Sequence, residues 1–309
     1  MSVYLPLYED LYVVSDLHMG GTKGTPIFNS GKELAALVEY LADPADGGQR
    51  ALVLNGDIID TLAEDIRHYV AKPDVAERVL ADIMTHDDFK MVWEALGKFV
   101  SQPRHRLVIC IGNHDLELAY PNVQEQIVAY LTRQATGQEE AEEEKGEERE
   151  EYKKKEEEAI RGRIHFSTTG TGHLCRVGNE ETSARVLCVH GNEYDKWNAV
   201  SPENMTRLVR SSCLGAESRI AEDPPNAGTH LVIDVMNKIK KKYPFVDLLK
   251  PEIETVFVPN DDLAPKGGGE PAIINMGAVV ANAIFDATGA RVYRLPMTPE
   301  RVLEAMRRS

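Results

Sequence analysis

The chain has 309 residues, 42% of them hydrophobic, enough to bury a sizeable core as one large α/β domain or two ordinary ones. Its formal net charge is −15, and no run of 18 apolar residues goes uninterrupted by a charge, which argues against a membrane span and disfavours long nucleic acids as partners. No basic stretch precedes an apolar one in the opening MSVYLPLYEDLYVV, so the expectation is a soluble, unexported, cytoplasmic protein of unspecified oligomeric state.

Taken in chain order, the first apolar run is LYVVS at 11–15, followed by a helical pattern, SGKELAALVEYLAD, that opens on Ser30 as its cap. A second short run, ALVL at 51–54, precedes a long amphipathic stretch from Asp74 to Val100 and a third run, RLVICI, at 106–111. An acidic insertion at 136–162 follows. Between Glu139 and Glu158 twelve acidic residues stand against five basic ones, so this segment alone carries −7 and reads as a solvated helix or a disordered insertion. Three strand-like segments come next, RIHFSTT, HLCRV and ARVLCVHGN, and then helical patterns at 201–213 and 229–242 within a region, 199–250, expected to wall or cap a substrate site. Outside the acidic segment the one basic cluster is KIKKK at 238–242. Cys110, Cys175, Cys188 and Cys213 form no C-x-x-C pair and read as reduced thiols. Buried strands alternating with helices predict a largely parallel sheet with helices on both faces, in a single domain spanning 1–309 that the acidic segment interrupts without dividing.

The chemistry lies where the apolar runs stop. The first ends in SDLHMG, with Asp16 and His18 two apart; the second in NGDIID, with Asp57 and Asp60; the third in GNHD, with Asn113, His114 and Asp115; and a later one in VHGNEYD, with His190. In a parallel sheet these carboxyl ends share one edge, where open α/β folds bind ligands. Aspartates, an amide oxygen and imidazoles gathered there suit divalent cations. Each piece alone has a plainer explanation as a turn, a cap or a core histidine, but four in succession after four apolar strands do not.

The order D-x-H, G-D-x-x-D, G-N-H-D, H-G-N resembles the calcineurin-like metallophosphoesterase superfamily over scattered positions from Ser15 to Asp195. The resemblance implies an α/β fold with a β-sandwich flanked by helices and a two-metal site at the strand ends. Asp16 and His18 would bind the first ion, Asp57 would bridge both, and Asn113 and His190 would bind the second. His114 takes the position of the family's catalytic imidazole, with Asp115 placed to orient it. HGNEYD together with Asp60 is most similar to the branch that includes UDP-2,3-diacylglucosamine hydrolases. Two cations roughly 3.5–4 Å apart can hold a bridging hydroxide and clamp an in-line displacement at phosphorus. The expected function is hydrolysis of a phosphodiester, phosphomonoester or pyrophosphate of a small molecule, nucleotide or lipid headgroup, with Mn as the first choice of metal and Fe, Zn, Ni or Mg as others.

One departure stands out. The family pattern closes with G-H-x-H, whereas His230 is the one histidine after His190. Three explanations compete: the sequence stops before the motif, residues 201–250 are an insertion that displaces it, or Asn260 and Asp262 of VFVPNDDLAP stand in for the imidazoles. His230 reads better as part of a helix than as a ligand. A binding or regulatory protein that lacks its closing ligands is the alternative to an enzyme. His68, His86 and His105 have no spaced partners, His165 and His173 could line a pocket, and Trp197 either stacks on a base or sugar or lies buried beneath the site.

Overall fold

A computed structural model describes residues 5–21, 27–43, 48–137 except 65 and 67, 147–214, 224–242, and parts of 281–308. Asn260 and Asp262 lie outside these residues. In chain order the elements are β1 (Leu7–Tyr8), β2 (Asp10–Val14), α1 (Gly31–Leu41), β3 (Arg50–Asn55), α2 (Pro73–Thr85), α3 (Lys90–Ser101), β4 (His105–Cys110), α4 (Pro121–Thr136), α5 (Glu147–Arg161), β5 (Ile164–Ser167), β6 (His173–Gly178), β7 (Ser183–Cys188), α6 (Pro202–Cys213), α7 (Ala227–Leu231) and α8 (Asn237–Lys242). A π-helical segment, Val232–Met236, joins the last two.

Two sheets form. One is all parallel, in the order β2-β3-β4-β5, with Leu52 level with Tyr12 on one side and Leu107 on the other. The second is three-stranded, β1-β6-β7, with β6 parallel to β1 and antiparallel to β7. Alternation along β3 and β4 explains the layering. Leu52, Leu54, Leu107 and Ile109 join the large core under the helices, while Ala51, Val53, Val108 and Cys110 turn to the other face and meet Cys175, Val186 and Cys188 of the second sheet. The second face of the parallel sheet is therefore covered by strands, where the alternation of elements alone suggests helices. The result is a sandwich flanked by helices, and all four cysteines in it are free, three of them buried.

Local chemistry sets the helix ends. Arg50, 8% exposed, donates from its guanidinium to the carbonyls of Leu41 and Asp43, which satisfies the C-terminus of α1 and offsets its dipole. The stretch Asp74–Val100 is two helices, not one: the chain breaks at His86–Phe89, where the Asp88 N–H donates to His86 Nδ1 and the Phe89 N–H to the His86 carbonyl. The helix α4 adds an element that the acidic residues beyond it obscure. Pro121 opens it, Gly137 closes it at φ +66°, and Val123, Ile127 and Leu131 form a buried stripe at four-residue spacing. The acidic segment lies within the β4-to-β5 crossover, and in its described part, α5, Ile160 is buried while most of the charged side chains from Glu151 to Glu158 are exposed.

Residues 1–251 make one compact unit and 252–309 a second. In the second, Ala290 is buried, Arg291 sits 3.6 Å over the Phe285 ring, and a terminal helix, α9, spans Pro299–Arg308.

The helical layer packs through α3, whose Trp93, Leu96 and Phe99 are almost fully buried. Phe99→Ala removes a fully buried ring and is expected to cost about 3–5 kcal/mol, read as a lowered midpoint in urea with an unchanged slope.

Candidate metal centre

Beyond their ends, β2 and β3 continue side by side without being regular strands. The Asp16 N–H donates to the Gly56 carbonyl at 3.1 Å, that of His18 to Asp57 at 2.8 Å and that of Met19 to Ile58 at 3.0 Å. Met19 and Ile59, buried and paired across a bridge, anchor both loops in the core. Asp16, His18 and Asp57 have φ of 56°, 46° and 52°, the only positive values of non-glycine residues among those described. Each costs about 1–3 kcal/mol, and such strain persists where the surroundings hold it for function. Gly112 allows a close approach: a Cβ there would lie 2.1 Å from Asp57 Oδ1. Gly56, at φ +86°, likewise leaves the space taken by the His190 ring.

Asp57 is the hub of the cluster. Its Oδ1 accepts the His114 N–H at 2.8 Å, and its Oδ2 lies 3.7 Å from His18 Nε2 and 3.3 Å from His190 Nε2. The far nitrogen of each imidazole is also held. His18 Nδ1 is 3.3 Å from Asp60 Oδ2, and His190 Nδ1 is 2.9 Å from the Asn55 carbonyl. A carbonyl only accepts, so His190 Nδ1 carries a hydrogen, and Nε2 faces Asp57 Oδ2 and Asn113 Oδ1, each at 3.3 Å. A lone pair confronting two oxygens is repulsive; a cation at that point makes the arrangement attractive. In the bare chain a proton fills the role. Burial favours neutral His190, yet the hydrogen bond and charge of Asp57 outweigh it and push the imidazole up to about 9. His18 and His114 are raised against the same burial by Asp60. Burial opposes ionisation of Asp57 and Asp60 too, but the imidazoles beside them hold both carboxyls below the usual range.

The donor set fits divalent cations. Asp16, His18 and Asp57 offer ligand atoms within 4.8 Å of one another, as do His18, Asp60 and His114. An imidazole with its distal N–H held by a carboxylate or carbonyl is the usual arrangement of a metal-binding histidine.

Two roles differ from expectation. Asp115, fully buried, does not orient the His114 imidazole, because its oxygens accept the N–H of Gly112 and of Ile58, each at 2.7 Å, and so tie the β3 and β4 loops together. The carboxylate at His114 is Asp60, whose Oδ1 is 3.3 Å from Nδ1. Asp60 thus serves both His18 and His114, and its place in GDIID was the signal for it. His230 sits on α7, paired with Asp234 and 6.2 Å from the Tyr69 ring. Trp197 is 60% exposed, so it does not lie buried under the site. His105 stacks on Phe99 in the core.

The pattern of calcineurin-like phosphoesterases matches residues 10–247, which include every member of the cluster. The chain belongs to the calcineurin-like phosphoesterase family. Phosphoester hydrolysis supported by divalent metals is that family's chemistry. Two curated relatives are similar over short stretches. A component chain of the nicotinate dehydrogenase of Pseudomonas putida is 32% identical over 132 residues, 42% of this chain and 10% of that protein. Aldehyde oxidoreductase of Megalodesulfovibrio gigas is 38% identical over 69 residues, 21% of this chain and 8% of that protein. The chain thus spans a tenth or less of the length of these relatives. No solved structure matches it. Among the described residues of this calcineurin-like phosphoesterase, no helix is long and apolar enough to cross a membrane.

The chain also carries an acid that its motifs do not announce. Glu117 lies within LELAY, 1% exposed, its Oε1 accepting the Ala71 N–H at 2.6 Å and its Oε2 2.8 Å from Thr61 Oγ1. Thr61 Oγ1 also lies 3.0 Å from the His114 carbonyl. One hydroxyl hydrogen cannot serve both acceptors. With Glu117 protonated the chain closes: Glu117 donates to Thr61 and Thr61 to the His114 carbonyl. Burial pushes Glu117 up to about 7, in keeping with that hydrogen count.

Two pH dependences follow. A divalent cation that took His190 Nε2 would have to displace its proton, so its affinity is expected to fall as pH drops below about 9 and its binding at pH 7 to release protons; calorimetry in two buffers of different ionisation enthalpy measures the number. The folded-state value of Glu117 lies above its free value of 4.5, so the cost of its charge is absent below that value, grows through about 7 and is constant beyond. Glu117→Gln keeps the donor to Thr61 without the charge. Its urea midpoint is expected above that of the parent at pH 8, with the gap shrinking toward pH 5; a gap independent of pH contradicts a buried proton.

Proposed function

We propose that the protein hydrolyses phosphate esters of small molecules at a centre of two divalent cations, one held by Asp16, His18 and Asp57 and the other by Asp57, Asn113 and His190. The reading is carried by Asp57 Oδ2, which faces Nε2 of His18 and of His190 while both distal nitrogens are occupied. Cations bound there would supply positive charge for the phosphoryl oxygens and lower the pKa of bound water. Carboxylate, amide and imidazole donors suit Mn first and also accept Fe, Zn, Ni or Mg.

The chain's own groups do the rest. The His114 N–H fixes Asp57 Oδ1, so the same residue that supports the carboxylate that would bridge the ions presents its ring to the cluster. Asp60 holds His114 Nδ1 and thereby orients Nε2, the atom that would pass a proton to the departing alkoxide. Asp115 keeps the loops bearing Asp57 and His114 in register through two backbone N–H groups.

A second reading rests on the convergence of His18, Asp60 and His114 within 4.8 Å. An ion there would make His114 a ligand and not an acid. Metal analysis of His114→Ala separates the two, alongside hydrolysis of bis-p-nitrophenyl phosphate with added Mn. The proposed role predicts full metal content and a loss of about 10²–10⁴ in kcat; the second reading predicts loss of metal as well. Unchanged turnover rules out the acid role. A parent chain that loads Mn fully and leaves every ester intact supports a binding protein.

A further inference from the structure

A cavity of about 280 Å³ opens beside His190, on the side of the cluster that faces β5 and α6. Its inner wall is apolar: Ile111 and Leu116, 7% and 4% exposed, come from the loop after β4, and Met205, 7% exposed, comes from α6. Its rim carries the exposed hydroxyls of Thr169 and Thr171, whose Oγ1 atoms lie 2.8 Å apart. Two hydroxyls that share one hydrogen bond keep one hydrogen and several lone pairs for a guest. Among the described residues no lysine or arginine lines the cavity, and its one acid is Glu193. The one cationic group on its wall is the His190 imidazole, already paired with the Asp57 carboxylate at 3.3 Å, so beyond that pair an anionic guest would meet one like charge and no opposite one from the described side chains. The volume equals the share of roughly nine waters and lies just under the range of about 300–1,000 Å³ that holds drug-sized ligands.

We propose that this cavity receives the alcohol portion of the phosphate ester and selects an uncharged, partly apolar alcohol the size of one ring or a short alkyl chain. The assignment rests on the phosphoester reading, since it is His190, 3.3 Å from Asp57, that joins the cavity to the cluster. Apolar atoms of the alcohol pack on Ile111, Leu116 and Met205, and its ether or hydroxyl oxygens bond to Thr169 and Thr171. Substrates with a carboxylate or second phosphate in this portion are poor. The region between 199 and 250 thereby contributes to specificity through α6.

Titration of the full chain with benzyl alcohol and with 4-carboxybenzyl alcohol, followed by ligand-observed NMR, tests the cavity without turnover. Benzyl alcohol is expected to bind about tenfold or more tightly than the carboxylate. Met205→Phe fills the inner wall and weakens benzyl alcohol about tenfold. Thr171→Arg, at the exposed rim and safe for folding, strengthens the carboxylate and narrows or reverses the preference. Hydrolysis of benzyl phosphate and 4-carboxybenzyl phosphate with Mn is expected to show the same order in kcat/KM. Equal binding of the two alcohols, or insensitivity to both substitutions, overturns the proposal. An intact alcohol preference with neither ester cleaved under any of the metals overturns the phosphoester reading and supports the selectivity of the cavity.

Discussion

A single buried carboxylate organises this molecule. Asp57, 3% exposed, could not be held ionised without compensation, because removing a charge from water costs several kcal/mol. The compensation comes from three directions: the His114 N–H, the His18 ring and the His190 ring. Each comes from a different loop, so satisfying one charge fixes three segments of the chain. Gly112 and Gly56 have no side chains because those segments approach to contact distance, and the left-handed backbone at Asp16, His18 and Asp57 is the conformational cost of that convergence.

The sheet makes the convergence possible. Parallel strands bring the carboxyl ends of β2, β3 and β4 to one edge in consecutive order, so residues about 40 to 55 positions apart become neighbours. Pairing that continues past the strands, from Asp16 to Met19 against Gly56 to Ile58, carries the rigidity of the core out to the functional side chains. The fourth contributor, His190, follows β7 of the other sheet, and Asn55 reaches across to it: its carbonyl accepts the ring N–H, and its amide donates to the Val189 carbonyl.

Much of this was legible in the letters. Apolar runs halted by Asp, His and Asn in a fixed order located the cluster, because strand ends are where a two-residue period gives way to turn chemistry. What stayed hidden depends on contacts between distant segments. Asp115 and Asp60 are both acids near His114, and only the folded loops reveal that Asp115 is consumed by two backbone donors while Asp60 reaches the imidazole. Glu117 was concealed by its apolar neighbours, although an acid between leucines in LEL hints at a buried partner. The helix α4 had its markers, Pro121 and Gly137, but the charge run beyond it drew the eye. The strand-covered second face of the parallel sheet could not be read from alternation, since β6 and β7 bear the same apolar signature whether they extend one sheet or found another.

The proposed ligand set straddles both layers of the sandwich. Asp16, Asp57 and Asn113 extend from the parallel sheet, while His190 extends from its three-stranded partner, which otherwise meets it largely through small and sulfur-bearing side chains. An ion shared by Asp57 and His190 would therefore be a rivet between sheets as much as a reagent. Prising the layers apart would mean breaking coordination bonds, and the mechanical integrity of the sandwich would rise and fall with the supply of metal.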